Sequence, residues 1–145
     1  MPIYLDSCCF NRPFDDQSQV RVLLETEAKL VVQERIRSGE LQLVWSYIMD
    51  FENDANPFED RRNSISQWRD LATIDISESE EVVARAEDLS RLGFKAKDSI
   101  HLSCAIEAQC KIFLSTDKGI LNKADLVPGL AILNPVDYDF TEDDD

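Results

Sequence analysis

Residues 4–17 read YLDSCCFNRPFDDQ. An apolar start, Tyr4-Leu5, stops at the carboxylate of Asp6, then passes through small residues and two adjacent cysteines. Asn11, Arg12, Pro13 and a pair of acids follow. A strand does not carry a charge into its core without partners, because burying an unpaired carboxylate is costly. The stretch is therefore a strand that ends at Asp6, and the position of that acid is the feature to explain.

Working outward, elements of two kinds alternate. Pro2 to Leu5 is a first short strand. From Gln17 to Ser38 the apolar residues Val20, Leu23, Leu24, Ala28, Val31, Val32 and Ile36 recur at helical spacing, and Gly39 stands at a natural stop. Leu41 to Trp45 is a second strand. Helical character runs from Tyr47 to about Asn53 and is broken at Asn56-Pro57. Phe58 to Leu71 is a further helix, with Ile65, Trp68 and Leu71 on one side. Thr73 to Ile76 is a weak strand. Ser77 and Glu80 have capping-box spacing and open a helix to about Leu92, closed by Gly93. Ala96 to Gln109 is a more apolar helix, Lys111 to Leu114 a strand, Asp117 to Lys123 a short helix, and Leu130 to Leu133 a last strand.

Strands separated by helices imply a parallel sheet covered on both faces. Chemistry in such sheets collects beyond the carboxyl ends of the strands. Asp6 lies there, and so does Asp117, which ends IFLST as Asp6 ends its own strand. Glu52 falls in the helix after the second strand, in SYIMDFEN, and Asp98 opens the apolar helix in FKAKDSIHLSCAIEA. Each acid also has a bland reading. The chain holds 29 acids, Asp98 can favour a helix N-terminus, and Asp6 can cap a turn.

Size and composition set the frame. At 145 residues and 43% hydrophobic the chain suits one folded domain, 1–140, with an acidic tail, 141–145. No apolar run is long enough for a bilayer, and MPIYLD lacks the pattern of a secretory signal. The expected address is cytoplasmic, where Cys8, Cys9, Cys104 and Cys110 stay reduced and structural. The net charge of −14 is an obstacle to any polyanionic ligand. Six acids lie between Asp137 and Asp145, but the rest of the chain stays acidic too. A polyanion would need help from metal ions or from a few placed basic groups.

Four separated motifs, YLDSCCFNRPFDDQ, SYIMDFEN, KAKDSIHLSCAIEA and IFLSTDKGIL, resemble those of the PIN-domain family in order and approximate spacing. The resemblance implies a three-layer α/β/α sandwich on a parallel sheet. It also implies a ribonuclease dependent on Mg²⁺ or Mn²⁺, of the kind that forms the toxin half of VapC-type toxin-antitoxin pairs. Carried over residue by residue, the metal-binding and catalytic acids are Asp6, Glu52, Asp98 and Asp117. The serine-to-acid spacing in SYIMDFEN favours Glu52 over Asp50. The implied partners are an RNA substrate, a cognate antitoxin and a second copy in a homodimer, with no membrane.

The chemistry is consistent with that role, since hard cations held by carboxylates activate water and neutralise phosphoryl charge. Arg12, Lys97 and Thr116 are candidate substrate contacts, Arg12 with the alternative of pairing to Asp15 or Asp16. Ser7, Lys95 and Lys118 stand near the acids in sequence. His101, one helical turn after Asp98, reads as a hydrogen-bonded structural histidine rather than a general base. Two rivals remain. One is a catalytically weak or inactive module of the same fold that binds RNA or protein. The other is a phosphoacceptor or phosphatase domain using Asp6 covalently, a design that usually wants a second acid beside the nucleophile, where Ser7 and Cys8 stand.

Overall fold

The structure, a computed structural model, describes residues 2–138. The acidic end, 141–145, lies outside the described residues. Five parallel strands, β1 (Pro2–Leu5), β2 (Gln42–Ser46), β3 (Ile74–Ile76), β4 (Ile112–Leu114) and β5 (Ala131–Leu133), form one sheet in the order β3-β2-β1-β4-β5. Helices cover both faces, giving the three-layer α/β/α sandwich expected for the strand-helix alternation. They are α1 (Ser7–Asn11), α2 (Val20–Arg37), α3 (Tyr47–Asp54), α4 (Glu59–Leu71), α5 (Glu80–Arg91), α6 (Ala96–Glu107) and α7 (Lys118–Leu121).

The central strand explains the opening motif. β1 pairs with β2 on one side and β4 on the other, so Ile3, Tyr4 and Leu5 are enclosed on both faces and almost wholly buried. Strands buried on both faces read as continuous apolar runs. Tyr4 stacks on Phe113 of the neighbouring strand with ring centroids 5.1 Å apart, adding an aromatic pair to the core. Gly39 ends α2 as expected, at φ +85°, a conformation that costs glycine nothing.

Three local details differ from the expectations above. The segment after Asp6, assigned to no element above, forms α1, because the Asp6 carboxylate accepts the Ser7 N–H and caps a short helix. The cap of α5 is Ser79, not Ser77. Pairing of β3 ends at Ile76, Ser79 is the extended residue before the helix, and its hydroxyl accepts the Val82 N–H at 3.2 Å.

The third correction concerns α2. Of the apolar residues whose spacing marks it, only Val32 and Ile36 are buried, joined by Val22; Val20, Leu23, Leu24 and Val31 are exposed. The inner face instead carries Glu25, Thr26, Lys29 and Gln33. This inversion has a partner-based cause. Glu25 receives Arg12 Nε at 3.0 Å and Asn134 Nδ2 at 2.5 Å, and the Thr26 hydroxyl donates to the Arg12 carbonyl. Lys29 holds its ammonium over the rings of Phe10 and Trp68, at 5.3 and 5.9 Å. Periodicity identified the helix, but tertiary partners selected which face turned inward.

Candidate active site

The chain leaves β1 for β2 on one side of the sheet and later returns to place β4 on the other. The strand order therefore reverses between β1 and β4, and a crevice opens beyond their carboxyl ends. Both strand-end acids stand at it. Asp6 is still hydrogen-bonded into the ladder through its N–H to the Leu114 carbonyl, at 2.9 Å. Its carboxylate is buried, at 4% exposure. Oδ1 accepts the Ser7 N–H at 2.8 Å, and Oδ2 accepts the Ser115 hydroxyl at 2.8 Å. The same Ser115 oxygen accepts the Asp117 N–H at 3.0 Å, so one serine ties the two acids together. Asp117 caps α7, and its Oδ1 accepts the Gly119 N–H at 2.7 Å. A Cβ on residue 119 would stand 3.1 Å from that oxygen, which fits glycine there.

Glu52 comes from α3, whose start is fixed by Ser46 at the end of β2. Its Oε2 accepts the Ser7 hydroxyl at 2.8 Å, and Oε1 is bonded to His101 Nε2. Asp50 is engaged elsewhere, accepting from Trp45 Nε1 at 2.9 Å and from Arg69 at 3.1 Å. Two residues apart on a helix, the two acids cannot share a direction. Asp98 lies in the first turn of α6, half-buried, and His101 follows one turn later. His101 is buried among the acids. Its Nε2 is also 3.7 Å from Asp6 Oδ1, and its Nδ1 is 2.5 Å from the Tyr4 hydroxyl, which in turn is 2.7 Å from Ser46 Oγ.

The electrostatics follow from this crowding. Burial, together with the charges of Asp6, Asp117 and Glu52, pushes the Asp98 carboxyl up to about 6. Burial works against a charged His101, but its bond to Glu52 and the charges of Asp6, Glu52 and Asp98 outweigh it and raise its pKa. Burial likewise opposes ionised Glu52, and the His101 bond and charge, the Ser7 bond and Lys97 overcome it, holding Glu52 below its ordinary value. Both shifts favour the charged forms, an imidazolium beside a carboxylate. One positive charge offsets part of a four-acid cluster, and Asp98 carries the remaining repulsion.

The other residues singled out from the sequence are placed as follows. Arg12 is paired with Asp15 at 2.9 Å and Glu25 at 3.0 Å. Lys97 lies over the Phe51 ring, 5.6 Å from its centroid. Thr116 is buried, its N–H donating to Cys8 Sγ at 3.3 Å and its carbonyl accepting from Arg21. Lys95 and Lys118 are exposed. All four cysteines are free thiols. Cys9, Cys104 and Cys110 are buried, while Cys8 reaches the crevice and lies 3.5 Å from Asp6 Oδ2. Sequence reasoning gave Tyr4, Ser46 and Ser115 no place in the site. Tyr4 was legible in principle, since residues two apart on a strand share a face and Asp6 follows at that spacing. Ser46 entered only through its spacing to Glu52, and Ser115 sits at a strand end, where short hydroxyl residues have no distinctive pattern.

Among the described residues, no three His, Cys, Asp or Glu side chains are grouped as a ready metal cage. The donor chemistry nonetheless fits a hard divalent cation. Carboxylates come from four separate segments, and each carries about four lone-pair positions. The elevated pKa of Asp98 comes first from burial and then from the charges of Asp6 and Asp117, and a cation would offset both.

Comparison with known proteins places this arrangement in a wider group. Among the described residues, no helix is long and apolar enough to cross a membrane. No match was found among curated protein sequences. In fold, the chain is similar to the crystal structure of VapBC2 from Rickettsia felis bound to a DNA fragment from their promoter. The TM-score is 0.57 at 12% identity, covering 96% of this chain and 100% of that one. The family profile described as PIN domain matches residues 3–126, a span that contains all four acids, and the chain belongs to the PIN-domain family.

Proposed function

We propose that the chain is a metal-dependent ribonuclease of the VapC toxin type, cleaving RNA phosphodiester bonds by hydrolysis in the cytoplasm. The observation that carries this reading is the run of contacts from Asp117 through Ser115 to Asp6 and through Ser7 to Glu52 and His101, with Asp98 one turn before His101 on α6. Fold likeness to a VapBC complex supports an antitoxin-like protein partner.

Asp6, Glu52, Asp98 and Asp117 are the residues that would hold Mg²⁺ or Mn²⁺. When bound, the ion supplies an activated water and neutralises charge on the phosphoryl group. The protein's own residues do the positioning. Ser115 fixes Asp6 relative to Asp117, and Ser7 links Asp6 to Glu52. His101, anchored by Tyr4, orients Glu52 and screens the neighbouring acids. Half-buried Asp98, with its carboxyl near pH 6, is the acid whose charge a cation would restore.

One observation favours the rival reading of a binding module that keeps the fold: Asp6 and Glu52 are already held by protein donors. A single experiment separates the two. Purified wild type should cleave single-stranded RNA in Mn²⁺ and lose that activity in EDTA. Asp6→Asn and Asp117→Asn should be inactive while still folded by circular dichroism. Undiminished cleavage by both variants would remove the acid cluster from the chemistry, and RNA binding without cleavage by wild type would establish the module.

A further inference from the structure

Beside Glu52 and Ser7 a cavity of about 250 Å³ opens between α1, α3 and α4. Its volume lies just below the range typical of drug-sized ligands, ~300–1,000 Å³, and suits one flat ring system. Met49 and Ile65, both buried, give it an apolar floor, and Pro57 and Phe58 form one wall. Polar groups are few and placed. Asn53 lines the cavity and is itself 8% exposed; its Nδ2 donates to the Arg62 carbonyl at 3.0 Å, while Oδ1 has no partner among the described residues. That oxygen is itself closed to solvent, so the open surface of the cavity is its apolar floor and its aromatic wall.

The rim carries a second, independent signal. Phe58 and Phe14 are exposed, at 58% and 41%, and the Arg61 guanidinium is stacked against both, 4.8 and 5.1 Å from their centroids. Phe51, next to Glu52, is also exposed, with Lys97 over its ring. Solvent-facing aromatics braced by Arg and Lys around a crevice are stacking platforms for unpaired bases. This matters more in a chain of net charge −14, where general attraction to phosphates is absent and stacking must supply affinity.

We propose that this cavity is a nucleobase subsite for single-stranded RNA, adjacent to the acid cluster, stacking one base on Phe58. The inference rests on the ribonuclease reading for the identity of the polymer, and it adds the place where one base is held. Every base has a π-face, so stacking there accepts A, C and U alike.

The test is fluorescence anisotropy of labelled A6, C6 and U6 RNA with wild type, Phe58→Ala and the exposed control Leu126→Ala, with Ca²⁺ present in place of Mg²⁺. Mn²⁺-dependent cleavage is measured in parallel. The expected result is binding of all three by wild type. Phe58→Ala should lose about 5- to 100-fold on each, the usual worth of one stacked base, and Leu126→Ala should match wild type. Phe58 is exposed, so its loss leaves the core untouched. Wild-type affinity in Phe58→Ala, or no binding by wild type, overturns the subsite even if cleavage persists. Phe58-dependent binding without cleavage keeps the subsite and removes the nuclease reading.

Discussion

Asp98→Asn tests the crowding of the acid cluster without any assumption about substrate. The carboxyl's ordinary value of 3.8 rises to about 6 in the fold, first through burial and then through Asp6 and Asp117. A raised carboxyl pKa means the native state holds its proton more tightly than the unfolded chain. Stability from this group is therefore complete below about pH 3.8 and lost as pH climbs through about 6. The whole shift corresponds to about 3 kcal/mol. Asp98 is only half-buried, and solvent screening reduces that to about 1.5 kcal/mol. The ionised side chain also gains about 0.5 kcal/mol from the N-terminal end of α6, which Asn forgoes. The net expectation at pH 8 without metal is a variant more stable than wild type by about 1 kcal/mol, or about 3 °C in Tm. At pH 4.5 the gain should shrink to about a third. Scanning calorimetry in EDTA at the two pH values measures both numbers. Addition of Mn²⁺ should raise the wild-type Tm and leave the variant nearly unchanged. An Asp98→Asn protein that melts at or below the wild-type temperature at pH 8 would refute the claim that these acids repel one another.

Further outcomes can be checked in the same way. Glu52→Gln should weaken Mn²⁺ binding at least 10-fold by isothermal titration, while Asp50→Asn leaves it unchanged, because Asp50 is spent on Trp45 and Arg69; the reverse pattern would exchange their roles. Gly119→Ala should reduce cleavage with little loss of fold, since a Cβ crowds Asp117 Oδ1 at 3.1 Å, and an unaffected rate would show that this carboxylate has room to move. Lys29, buried at 3% exposure, has its pKa lowered to about 7, chiefly by burial. Its folded value lies below its unfolded 10.5, so the native state sheds the proton and stability rises between pH 7 and 10.5. The shift is worth about 5 kcal/mol, and allowing about 2 kcal/mol for the lost ring contacts, Lys29→Met should stabilise by about 3 kcal/mol at pH 6 and hardly at all at pH 10. Urea unfolding at the two pH values gives the comparison, and a variant no more stable at pH 6 contradicts it.

Much of the architecture was legible because it rests on short-range constraints. Tyr4-Leu5 running into Asp6, the helical spacing before Gly39, and the repeat of an acid at the end of IFLST each follow from what a strand or helix requires of its neighbours in sequence. Their alternation was enough to imply a parallel sheet with its chemistry at one rim. What the sequence left open was decided by partners distant along the chain. α2 turns a polar face inward because Arg12 and Asn134 meet Glu25 there, and no periodicity encodes that meeting. Ser115 became the tie between Asp6 and Asp117 because sheet register set β1 beside β4, and Tyr4 the anchor of His101 because α6 packs where it does; each pair is about 100 positions apart in sequence. Hydrophobic pattern is local and survives in one dimension. The identity of a hydrogen-bond partner is a fact about three-dimensional proximity, and only the folded chain supplies it.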